Sequence, residues 1–111
     1  FFWDDVVFCL IGGFVEKKFY VYILASKKDG LLYIGMTSDL LRRCWEHREG
    51  CIEGYTKKYS IKRLVYYEVY DDFENAQRRE KRLKRWRRRW KTDLVEGLNP
   101  DWNDLYSKLS A

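Results

Sequence analysis

Three chemically capable side chains fall close together in the stretch Tyr33-Ile34-Gly35-Met36-Thr37-Ser38-Asp39-Leu40-Leu41-Arg42-Arg43-Cys44-Trp45-Glu46-His47. Arg43 and His47 are four residues apart, so on a helix both project from one face. A guanidinium stays charged, and its planar fork can hold two phosphate oxygens at once. An imidazole, with an ordinary pKa of about 6.5, exchanges protons near neutrality. The phenol of Tyr33, a type with an ordinary pKa of about 10, does so only when a cation or a hydrogen bond favours its charged form. A fourth group, Glu80, stands between Ala76 and Leu83 on the inward stripe of a helical pattern. A carboxylate there is costly unless it meets a neighbouring basic residue or a cation, and hard divalent cations take carboxylate oxygens.

The elements that must position these groups are legible from pattern. Residues 19–25 are a β-branched and aromatic run, expected as a strand. Tyr20, Tyr22 and Leu24 then share one face, with Val21 and Ile23 on the other. Residues 26–30 form a turn marked by Asp29-Gly30, and 31–35 the returning strand of a hairpin. Gly35 is expected to allow a sharp turn or the close approach of a ligand. Thr37 is the predicted N-cap of a helix over 38–49, with Leu40, Leu41, Cys44 and Trp45 inward and Gly50 as its stop. Residues 51–60 read as a loop, in which Lys57 and Lys58 between Tyr55 and Tyr59 suit a phosphate-and-stacking surface or an ordinary solvated loop. Residues 62–70 are a third strand, and 73–92 one long second helix. Asn99-Pro100 breaks the chain, Pro100 suits the first turn of a short helix, and the last residues fray. Asn99 is either a cap or an amide reaching the site.

A chain of 111 residues fits one domain. Its 46% hydrophobic and 18% aromatic residues suffice for a modest core and exclude a disordered chain. Three cysteines without C-x-x-C spacing and a single histidine do not fit structural zinc, which needs about four N/S ligands. An odd cysteine count without a secretory signal points to a reducing, cytoplasmic compartment. Residues 1–14 are apolar apart from Asp4 and Asp5, yet shorter than the ~20 residues a spanning helix requires. They lack the basic start of a signal peptide, and the chain does not begin with Met. We read them as an upstream extension ahead of a single domain over 15–111; an extra strand packed on the sheet is the competing reading.

Net charge is +5, and its distribution is uneven. From Arg78 to Lys91, ten of fourteen residues are Lys or Arg. Like charges at i, i+4 repel by a few tenths of a kcal/mol per pair, and a polyanion would relieve that repulsion with salt-sensitive binding. Arg78, Arg82, Arg85 and Arg89, with Lys57 and Lys58, are the candidate nucleic-acid contacts. A membrane surface is the weaker partner, since the apolar face is needed for the domain's own core.

Taken together, these residues resemble the GIY-YIG nuclease superfamily, in particular its small single-domain UPF0213-type group of bacteria. Tyr20-Val21-Tyr22 stands where the family has GIY, with Tyr20 replacing the first glycine, and Tyr33-Ile34-Gly35 is the YIG. Gly35-x-Thr37-x-x-Leu40-x-x-Arg43-x-x-x-His47, Ala76-x-x-Arg79-Glu80 and Asn99-Pro100-x-Trp102 follow in order. The resemblance covers roughly residues 19–106. It implies an α+β fold, a three-stranded antiparallel sheet flanked by helices in the order β-β-α-β-α-α, and metal-dependent phosphodiester hydrolysis. Carried over residue by residue, Tyr22 and Tyr33 would sit beside the attacking water. Arg43 would hold the scissile phosphate, His47 would assist proton transfer, and Glu80 would bind Mg²⁺ or Mn²⁺; Asn99 matches a family polar position more loosely. Tyr22 and His47 both remain open as the base.

The expected function is therefore a divalent-metal-dependent endonuclease acting on DNA rather than RNA, directed by structure or a nick. The alternative is a nucleic-acid-binding module with little turnover, which metal-independent binding without cleavage would reveal.

Overall fold

Alternation along the first strand dictates a sheet covered on both sides. The computed structural model describes residues 17–109; the extension read over residues 1–14 lies outside the described residues. Phe19–Ala25 (β1), Leu32–Thr37 (β2) and Arg63–Tyr70 (β3) form one antiparallel sheet in the order β2-β1-β3. The described helices are Leu40–Arg48 (α1), Tyr55–Lys58 (α2), Phe73–Arg85 (α3), Arg88–Leu98 (α4) and Tyr106–Leu109 (α5). Phe19, Val21, Ile23 and Ala25 of β1 join Ile34, Met36 and Val65 in one apolar layer, closed by Ala76 and Leu83 of α3 and Val95 of α4. Tyr22 and Leu24 join Leu64 in the opposite layer, closed by Leu40 and Cys44 of α1 and, at its border, Tyr106 and Leu109 of α5. The fold is α+β as expected, with two short helical segments, α2 and α5, not read as such from the sequence.

The helix after β2 starts later than Thr37 predicts. Thr37 ends β2, and its Oγ1 accepts the Asp39 N–H at 3.1 Å. Asp39 is the cap, its carboxylate accepting the Arg42 N–H at 3.1 Å, and a negative charge suits the positive end of the helix. Leu41 and Trp45, expected inward, are 41% and 49% exposed. With Leu40, Cys44 and His47 buried, each lies one position, about 100°, off the inward stripe. Gly50 ends the segment at φ +72°, as its sequence position predicts. In the hairpin turn it is Asp29 that takes the positive φ, 59°.

The long helix expected over 73–92 is two helices. The chain breaks at Trp86 and Arg87, both extended with ψ near 150°, without proline or glycine. One helix over residues 73–98 would run about 39 Å, against roughly 26 Å for β3. The bend returns Leu94 and Val95 to the layer that already holds Leu83. The Arg79 guanidinium lies 5.1 Å over the Trp86 ring, and Arg88 donates to the Gly30 carbonyl at 2.6 Å, fastening the start of α4 to the hairpin turn.

Pro100 lies in a turn and not in a helix. The chain there places Trp102 fully buried at φ +55°, and Leu105 N–H donates to the Leu64 carbonyl at 2.7 Å before α5 begins. Residues 107–109, expected to fray, are helical. No helix among the described residues is long and apolar enough to cross a membrane.

Candidate active site

Strand register brings the phenols together. Tyr22 pairs with Gly35 and Leu24 with Tyr33, so Tyr22, Tyr33 and Gly35 face the layer that α1 covers. A Cβ on Gly35 would sit 2.5 Å from the Tyr22 hydroxyl oxygen and 2.6 Å from its ring Cζ. Gly35 is therefore required for room: it lies inside β2 rather than in a turn, and the group that approaches it closely is the Tyr22 phenol. From α1, Arg43 and His47 project towards the same place. Because β2 is an edge strand, α3 on the other side can reach round it with Glu80. Tyr22, Tyr33, Gly35, Arg43, His47 and Glu80 thus line one cleft of about 360 Å³, together with Met36, Cys51, Ile52 and Lys84.

Within the cleft, the Tyr22 hydroxyl lies 3.3 Å from His47 Nε2. The Tyr33 ring centroid is 5.5 Å from that of His47 and 6.3 Å from that of Tyr22. His47 is 3% exposed, and its other nitrogen, Nδ1, lies 3.2 Å from Thr56 Oγ1 on α2. Burial, helped by the Arg43 charge, pushes the imidazole down to about 4. Burial, reinforced by Tyr33, raises the Tyr22 phenol well above its ordinary value although Arg43 pulls the other way. Both groups are therefore neutral at pH 7. A neutral imidazole has one donor and one acceptor nitrogen. In the tautomer whose Nδ1–H donates to Thr56, Nε2 is free to accept from the Tyr22 hydroxyl. Arg43 has an 11% exposed side chain and approaches Glu46 at 3.5 Å.

Glu80 is buried, and its Oε2 meets Lys84 Nζ at 3.0 Å. The ion pair to a neighbouring basic residue is thus formed, inside the cleft. The donor set also restricts what metal fits. Among the described residues, Glu80 is the single carboxylate lining the cleft, and no group of three or more His, Cys, Asp or Glu could hold an ion. These described residues do not make a zinc cage; one carboxylate suits a hard cation of the Mg²⁺ type, which is bound through one or two carboxylates with water and substrate phosphates.

Other candidate residues lie elsewhere. Asn99 does not line the cleft: its amide donates to the carbonyls of Val65 and Asn103 at 3.0 and 2.9 Å, and its Oδ1 accepts the Asn103 N–H. Buried at the end of α4, it holds the turn that seats Trp102, so the cap reading applies and the reach to the site is corrected. Lys57 pairs with Glu53 at 2.9 Å, and Lys58 lies over the Tyr59 ring. Arg78 and Arg82 line a separate open depression of about 290 Å³ with Tyr70, Asn75 and Arg79; Arg85 and Arg89 are exposed. Beneath that depression Arg79 grips Glu68 through three contacts of 2.9–3.3 Å, and Tyr66 and Tyr70 donate to the same carboxylate. Burial opposes charge on Glu68, but those hydrogen bonds hold it below the ordinary carboxylate range.

Two residues in contact with site side chains, Lys84 on Glu80 and Thr56 on His47, carry no role in the sequence reading. Lys84 was findable, as the i+4 partner of Glu80. Thr56 was not: it reaches His47 only because residues 51–61 fold back, and no periodicity signals that.

Comparison with known proteins bears on this arrangement. The family model of the GIY-YIG catalytic domain matches residues 18–93. A UPF0213 protein of Clostridium perfringens is 40% identical over 76 residues, 68% of this chain and 81% of its own length. One of Staphylococcus saprophyticus is 37% identical over 78 residues, 70% of this chain and 94% of its own. The solution NMR structure of a UPF0213 protein from Bacillus halodurans superposes with a TM-score of 0.50 at 36% identity, covering 85% of this chain and 98% of that one.

Proposed function

The chain belongs to the GIY-YIG family, a family of nucleases, and from that premise we propose that it is a divalent-metal-dependent endonuclease cutting DNA. One observation carries the reading: Tyr22, Tyr33, Arg43, His47 and Glu80, drawn from both sides of the sheet, line a single cleft. The basic run from Arg78 to Lys91 begins on the same helix as Glu80 and continues past the break, which suits a backbone passing the cleft. Arg78, Arg82, Arg85 and Arg89 are its proposed contacts, with Lys57 and Lys58 on α2. A domain of this size has little surface for reading bases, so direction by structure or a nick fits better than a long sequence. Exposed Cys51 in the cleft suits work in a reducing cytoplasm.

Arg43 holds two oxygens of the scissile phosphate through its fork and stays charged as negative charge builds there. Tyr22 and Tyr33 orient the attacking water. Because Tyr22 is protonated at rest, it serves the water by passing its own proton to His47 Nε2, 3.3 Å away, as it receives one from the water. The O–P bond forms, the P–O bond to the leaving oxygen breaks, solvent protonates that oxygen, and His47 gives its acquired proton back to solvent. A divalent cation held by Glu80, when bound, supplies positive charge against the phosphate and acidifies nearby water.

Incubation with supercoiled, single-stranded and branched DNA, with and without Mg²⁺, tests the proposal. Metal-dependent cutting that is lost in both Arg43→Ala and Glu80→Gln, with folding intact, is expected. Binding indifferent to metal with no cleavage would make the protein a binding module instead.

A further inference from the structure

We infer that Lys84 is the resident counter-cation of Glu80, that it must release this carboxylate for a divalent cation to bind, and that it then contacts the substrate phosphate. The inference rests on the nuclease reading of the cleft. Lys84 and Glu80 are one turn apart on α3, with Nζ 3.0 Å from Oε2. Their side chains are held unequally, at 51% and 9% exposed respectively. The ammonium rides on a flexible four-carbon stem, so it is the partner that moves. Other nearby cations are engaged differently: Arg43 approaches Glu46, and Arg79 grips Glu68. Both an ammonium and a hard metal ion seek the same carboxylate oxygen, and two cations on one oxygen repel. Once displaced, Lys84 remains within reach of the cleft it lines, where a phosphate offers it an anion. Lys84 therefore opposes the metal and favours the substrate, and these opposite signs separate its role from a merely structural one.

The test is Mn²⁺ binding to the full chain without nucleic acid, measured by electron paramagnetic resonance of free Mn²⁺. Lys84→Gln is expected to bind Mn²⁺ about two- to fivefold more tightly, the scale of a half-exposed ion pair, while its KM for DNA rises. Lys84→Arg should stay close to the parent in Mn²⁺ affinity. Lys81→Gln removes the same charge from an exposed site outside the cleft. At physiological salt, where fields decay over about 8 Å, it should leave Mn²⁺ affinity unchanged. Unchanged or weaker Mn²⁺ binding by Lys84→Gln, or equal tightening by Lys81→Gln, overturns the inference. Glu80→Gln tests the underlying site separately: parental Mn²⁺ affinity in that variant would refute the carboxylate as ligand, whatever Lys84 does.

Discussion

The phenol oxygen of Tyr22 and Nε2 of His47 face each other at 3.3 Å, both buried and both in their uncharged forms. Neither alone is a good base at rest, and only their contact lets a proton move between them.

Tyr22→Phe keeps the ring that fills the layer beneath α1 and removes only the hydroxyl. Cleavage should fall by about 10²-fold or more, while stability stays within ~1 kcal/mol. Single-turnover cleavage and thermal melts read the two effects separately. Cutting at the parental rate would remove Tyr22 from the chemistry.

His47 makes stability depend on pH in a defined direction. In the unfolded chain it titrates near 6.5, and in the folded protein near 4. Between these values the unfolded chain holds a proton that the folded one does not. The contribution is present above about 6.5 and is lost as pH falls towards 4. Melting temperatures of the parent and His47→Gln at pH 7 and 4.5 check this: the fall should be smaller in the variant.

Thr56 fixes which imidazole nitrogen faces Tyr22. Thr56→Val keeps the shape but strips Nδ1 of its partner, so kcat should drop about tenfold, ~1.4 kcal/mol in barrier, with KM little changed. Thr56→Ser should restore the rate. A Thr56→Val enzyme with parental kcat would show that packing alone orients His47.

Arg79 neighbours Glu80 in sequence but works in the sheet's support. Arg79→Ala strands the Glu68 carboxylate, which also accepts from Tyr66 and Tyr70, and should cost about 1–3 kcal/mol. Denaturant unfolding measures that loss, whereas cleavage per folded molecule should remain near the parent's.

Legibility of the site followed the range of the interactions. Arg43 and His47 could be placed because helical spacing alone puts them together, and Glu80 because a charge on an apolar stripe demands a partner. Asn99 offered a cap and a reach to the site, and only its hydrogen bonds to Val65 and Asn103 decide for the turn. The α3–α4 break at Trp86-Arg87 carries no proline or glycine, so no local signal announces it. Leu41 and Trp45 misled because an apolar stripe wider than the contact it makes leaves some members in solvent.

Gly35 couples two positions that chain order keeps far apart. Drift at residue 35 towards even a methyl group forces the Tyr22 ring from its seat, and with it the reach to the imidazole. A lineage that loses this hydrogen-only side chain must therefore rebuild its proton route, so residues 22 and 35 are bound to evolve as one unit.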